Sequence, residues 1–174
     1  RFIFNWRKYA SDKIVYPHFK NLIPLFKKYW SLFTSFLNEI DLDLNVQLCD
    51  ITYVNHIDRG DGWDSIDELH NVFPSLSGFQ ENSLKALSLR TVASIPDSEQ
   101  SMIMNIDHAT RQSDDQEIIV FSITSRAITQ SYSAQELLDI FSEGQQNIVA
   151  KFESFTSSGM HQFWGKRERS IEDD

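Results

Sequence analysis

At 174 residues the chain has the length of one domain, and 41% hydrophobic with 24% charged residues excludes a disordered polymer. Its 25 acidic against 16 basic residues give a formal charge of −9, which disfavours a nucleic-acid backbone as partner, and its single cysteine excludes an intrachain disulfide framework. No apolar run approaches the roughly 20 residues that span a bilayer, so a cytoplasmic protein with no membrane partner is expected.

Residues 1–8, RFIFNWRK, place Phe2, Phe4 and Trp6 on one side of a period-2 pattern and predict a strand. It has no polar lead-in, so the expectation is a domain whose N-terminal part is missing. A polar turn follows over 9–17. From His18 to Ile40 the period becomes helical: Leu22, Phe26, Tyr29, Trp30, Phe33, Phe36, Leu37 and Ile40 recur at three- and four-residue steps. Such an aromatic stripe could bind a planar ligand, but packing on a sheet is its ordinary use. Pro24 must kink the helix or mark its start.

Val46 to Ile57 reads as a long strand with Cys49, Ile51, Tyr53, Asn55 and Ile57 towards the core. The acidic turn DRGDGWD at 58–64 precedes a short helix from Asp64 to Phe73, which Pro74 stops. A loop covers 75–83. Strands are then predicted over 84–95, 101–110 and 117–128. Their short polar links imply an antiparallel meander, because parallel pairing needs long crossovers.

Ser133 and Glu136 have capping-box spacing and open a last long helix. Its apolar face is Leu137, Leu138, Phe141, Ile148, Val149, Phe152 and Phe155. Gly144 interrupts that helix and would permit close approach to a sheet. Thr156 or Ser157 caps a final short helix carrying Met160, Phe163 and Trp164. The whole reads as an α+β fold: a curved, mainly antiparallel sheet with two long helices packed on one face. One domain is expected over 1–165, with a flexible polar tail over 166–174.

Catalytic patterns are sparse. There is no phosphate-binding glycine loop and no nucleophile elbow. Cys49 and His56 stand seven residues apart on one strand, roughly 23 Å in extended chain, too far to pair. His56, Asp58, Asp61, Asp64 and His70 are weak metal-ligand candidates, since carboxylates and imidazoles at a turn can hold a divalent ion. Surface solvation of an acidic turn accounts for them equally. No cofactor is implied. Arg7, Lys8, Lys166, Arg167 and Arg169 are the basic residues a nucleic acid would use.

FxFNWR at 2–7, TYVNHI at 52–57 and MHxxWG at 160–165 resemble, in order and separation, the marks of one sporadically distributed family of uncharacterised prokaryotic proteins. Members are longer, and the resemblance implies that an N-terminal strand–helix–strand section is lacking. It also implies one half of a duplicated strand–helix–strand–strand arrangement, like that of small-molecule-binding regulators. Its marking residues are Asn5, Trp6, Arg7, Tyr53, Asn55, His56, Met160, His161, Trp164 and Gly165. Of these, Arg7, Asn55, His56 and His161, with Trp6 and Trp164, are the candidates for ligand or partner binding. The expected function is a non-catalytic binding or protein-interaction protein, with a protein or small-ligand partner. The alternatives are a metal-dependent hydrolase using the His56–Asp64 region and a small-molecule-sensing regulator.

Overall fold

The computed structural model describes residues 1–7, 17–79, 84–129 and 133–165. The predicted tail over 166–174, with its basic residues, lies outside them, as do Lys8 and most of the turn at 9–17. The elements are α1 (Phe19–Glu39), β1 (Leu48–Asp58), two 3-10 helices (Ile66–Asn71 and Pro74–Phe79), β2 (Ser88–Ser94), β3 (Gln100–Arg111), β4 (Gln116–Ile128), α2 (Ala134–Phe155) and α3 (Ser158–Phe163). No described helix is long and apolar enough to cross a membrane.

The four strands form one antiparallel sheet in the order β1-β4-β3-β2. The predicted meander is β2-β3-β4, and β1 joins its far side against β4. Asp97 and Asp115 adopt positive φ, 57° and 55°, in the two connections, a conformation Asp tolerates better than most side chains. The helices pack on one face of this sheet.

Two expectations about the sheet are corrected. It is neither curved nor closed: its three registers run without interruption, and bulges are what bend strands. Residues 1–7 also enter no strand. Their exposure alternates as a strand's would, but Phe2 and Phe4 lie against α1 instead, with Phe2 ring centroids 5.4 Å from Trp30 and 5.1 Å from Phe33. Among the described residues no strand precedes α1, so they do not form the half of a duplicated strand–helix–strand–strand arrangement either.

The core has two parts. The larger joins Met104, Ile106, Phe121 and Ile123 of the sheet to Trp63, Leu69 and Phe73 of the turn and 3-10 region, and to Ile148 of α2 and Met160 of α3. Gly62, at φ 84°, meets Met160 so closely that a Cβ there would collide with the methionine side chain. The smaller part joins Phe26 and Trp30 of α1 to Cys49, Ala127, Leu137 and Leu138 at one end of the sheet.

Gly144 has the role its position suggested. A Cβ there would stand 2.7 Å from Ile51 Cγ2 and 3.1 Å from both Gln100 Oε1 and Ser125 Cβ. The missing side chain lets α2 sit directly on the sheet. Two buried polar groups are satisfied at this contact: Ser125 Oγ donates to Gln100 Oε1 at 2.5 Å, and Gln100 Nε2 donates to the Ile140 carbonyl at 3.1 Å. At the start of α2, the Glu136 N–H donates to Ser133 Oγ at 3.2 Å, as the capping-box spacing predicted.

Candidate functional site

An α-helix turns about 100° per residue, so positions three and four apart share a face. On α1 this rule separates two apolar stripes. Phe26, Trp30 and Phe33 face the core, and Trp30 is only 7% exposed. Leu25, Tyr29, Leu32, Phe36 and Ile40, spaced four, three, four and four apart, form a second stripe beside the first. It faces outward, with Leu32 58% and Phe36 54% exposed. The expectation that the whole aromatic stripe packs on the sheet is therefore corrected. Apolar residues cover about half the helix circumference, and the protein buries half of that.

Pro24 lies inside α1 rather than at its start, so the Lys20 carbonyl has no amide N–H at position 24 to accept from. The helix ends where Asp41 takes φ 51° and the Leu42 N–H donates back to the Leu37 carbonyl at 3.0 Å. Leu42, just beyond, is also exposed.

The sheet's helix-free face is different in kind. Arg126 holds Asp50 with two bonds at 2.9 and 2.7 Å. Thr52 and Thr124 hydroxyls pair at 2.8 Å, and Asn105 Nδ2 donates to Ser122 Oγ at 3.0 Å. Ser88 donates to Asp107 at 2.6 Å. Arg111 crosses β4 to grip both oxygens of Asp58 at 2.8 and 3.0 Å while also holding Asp114. Those bonds push the guanidinium of Arg111 further up and hold the Asp114 carboxyl below its ordinary value. Polar cross-strand pairs of this sort suit a sheet face that meets water.

The sequence candidates fall in three places. Trp6 and Arg7 end the segment that packs on α1. His56 is exposed on the helix-free sheet face, while its neighbour Asn55 points to the core side, its Nδ2 3.5 Å from the Phe121 carbonyl. His161 and Trp164 belong to the end of α2 and to α3. Thr156 Oγ1 donates to the Phe152 carbonyl at 2.7 Å and therefore accepts from His161 Nε2, 2.7 Å away. Trp164 lies on Phe152, which stacks on Phe121. Asn55, His161 and Trp164 thus border one aromatic cluster, and Arg7, Trp6 and His56 are elsewhere.

The metal candidates are likewise dispersed. Asp58 is bound to Arg111, and His70 Nδ1 lies 2.9 Å from the Asp67 carbonyl. Among the described residues no group of three or more His, Cys, Asp or Glu is placed to hold an ion. Cys49 is buried, and burial, then the charge of Asp50, pushes its thiol up, away from a nucleophilic thiolate.

Among the described residues, the surface has small cavities, of which two are informative. One, of about 220 Å³, is lined by Arg59, Trp63, Lys85, His108 and Glu117 among others. Trp63 Nε1 and His108 Nε2 are buried there with no hydrogen-bond partner among the described residues, and the two rings meet edge to face at 6.1 Å. The second, of about 310 Å³, lies beside Gln100 and Glu143. Neither Trp63 nor Gln100 was singled out from sequence, because apolar and amide side chains in turns and strand ends carry no motif. Leu25 and Leu32 did have a signal, their place in the four-three-four spacing.

No protein-family model matches the chain, and neither the curated proteins nor the solved structures contain a match. Function is therefore read from its own residues.

Proposed function

We propose that the chain is a non-catalytic protein-interaction protein that docks a partner on the outward face of α1. The observation that supports this is the stripe Leu25, Tyr29, Leu32, Phe36 and Ile40, about half exposed on a helix whose adjoining face is core, with Tyr29 at its edge against Phe4. A contiguous apolar helix face is recognised by another apolar surface, most simply a second helix. The helix-free sheet face also exposes Val54 and Val92, but they stand among cross-strand polar pairs that a partner would have to match or displace, so it offers less than the contiguous stripe of α1.

A photo-crosslinking residue at position 32, compared with one at Thr34 on another side of the same helix, tests the reading in cells. Protein adducts at position 32 and few at 34 are expected. Equal labelling at both positions would sink the proposal.

A further inference from the structure

We infer, resting on that reading, that the occupant of the α1 stripe is a second copy of this chain, bound through an antiparallel α1–α1 pair. Three observations lead there. The first is spacing. Steps of four, three, four and four stay close to the 3.6-residue turn, so the five residues hold one face of a straight helix over four turns, enough for a short crossing of two helices. If two copies of α1 cross antiparallel at their midpoint, between Leu32 and Phe33, Leu25 faces Ile40 of the other copy and Tyr29 faces Phe36. The apolar residues then meet with none left over.

The second is charge. Lys28 and Glu39 are exposed and lie on one flank of the stripe, about 60–80° from its centre. A two-fold axis perpendicular to the helix pair keeps that flank on the same side in both copies. In the register just given, Lys28 of one copy stands within about 3 Å, along the axis, of Glu39 of the other. Two opposite-charge pairs result. A parallel pair, whose two-fold runs along the helices, would put the two flanks on opposite sides of the seam and bring no Lys28 to a Glu39.

The third is area. Large aromatic side chains bury about 150–250 Å² each, so five half-exposed residues and their polar flank amount to roughly 600 Å² per copy. A pair would bury about 1,200 Å² in total, the lower edge of stable interfaces. The −9 charge on each copy opposes association. At about 0.15 M salt that repulsion is screened within about 8 Å, whereas the seam is in contact.

The test is sedimentation equilibrium of the full chain at that salt concentration. A reversible dimer with micromolar dissociation is expected. Leu32→Glu with Phe36→Glu should weaken it at least about tenfold, the loss of two central apolar anchors, with an unchanged helical circular-dichroism signal. Lys28→Glu and Glu39→Lys should each weaken it several-fold, and the two together should restore it. Those exposed charge reversals carry the test even if the double Glu variant misfolds. A chain that stays monomeric at about 100 μM, well above the micromolar range, overturns the inference. So does a dimer that the stripe variants leave intact, or charge reversals that fail to compensate. If the chain is monomeric yet position 32 crosslinks to a different protein, the second-copy inference falls and the docking reading stands.

Discussion

Among the described residues, the helix-free sheet face and the outward face of α1 both meet solvent, and they differ in chemistry. The helix-free face of the sheet is closed on itself by cross-strand pairs: Asp50 with Arg126, Thr52 with Thr124, Arg111 with Asp58. The outward face of α1 keeps large apolar side chains about half exposed, with Tyr29 meeting the Phe4 ring at 5.9 Å. Exposure alone does not mark an interaction surface. An exposed group marks one when water is the poorest partner it could have, and that holds for Leu32 and Phe36 but not for Asp50 and Arg126.

The sharpest way to break this comparison lies within α1 itself. Trp30 and Leu32 are two residues apart, and the fold assigns them to opposite fates. Trp30→Ala should cost about 3–5 kcal/mol, because it removes a large buried ring and leaves a cavity among Phe2, Phe26 and Phe33. Urea denaturation would measure it. A cost no greater than that of an exposed position would mean that the inward and outward faces are misassigned.

Gly144→Ala comes next, at about 1–3 kcal/mol of destabilisation, the usual penalty of overpacking. Exposed helix glycines gain roughly 1 kcal/mol on the same change, so the sign of the result is informative. A gain would place α2 further from the sheet than the contact with Ile51 requires.

These two positions also show what the sequence could and could not reveal. Period-2 and period-3.6 patterns located four strands and both long helices, and Ser133 with Glu136 located a helix start to the residue. A glycine at mid-helix left room for a close approach at Gly144, but only the fold shows what fills it. Local pattern says only that a side is apolar, however, and not whether anything covers it. RFIFNWR has a strand's alternation and is not among the strands of the described sheet. Half the α1 stripe has a core residue's chemistry and no core. The site candidates failed to converge for the same reason: Asn55 and His56 are adjacent in sequence, so the pleat sends them to opposite faces.

On the sheet face, Arg111→Gln should reduce stability less than Gly144→Ala, and the reduction should depend on pH. Arg111 holds the Asp114 carboxyl below its ordinary value through their hydrogen bonds. A group depressed in the folded state contributes stability above its unfolded pKa, about 3.9, and loses it as pH falls through the folded pKa. The wild type and the variant should therefore differ at pH 7 and converge in strong acid. Thermal melts from pH 7 to pH 2 would check it, and a difference that persisted at pH 2 would show that Arg111 acts through packing over the sheet rather than through Asp114.

The smallest expected effect separates the two surfaces most directly. Leu32→Ser and Val54→Ser both replace an exposed apolar residue, one on α1 and one on the sheet. At low protein concentration each should change stability by no more than about 0.5 kcal/mol. Raising the concentration should distinguish them. If α1 pairs with a second copy, the wild type and Val54→Ser gain stability by mass action, since only the folded chain forms the seam. Leu32→Ser gains less. Its melting temperature should then fall progressively behind the other two as concentration rises, whereas three parallel curves would put both surfaces on the same footing and leave the α1 stripe without a partner of its own kind.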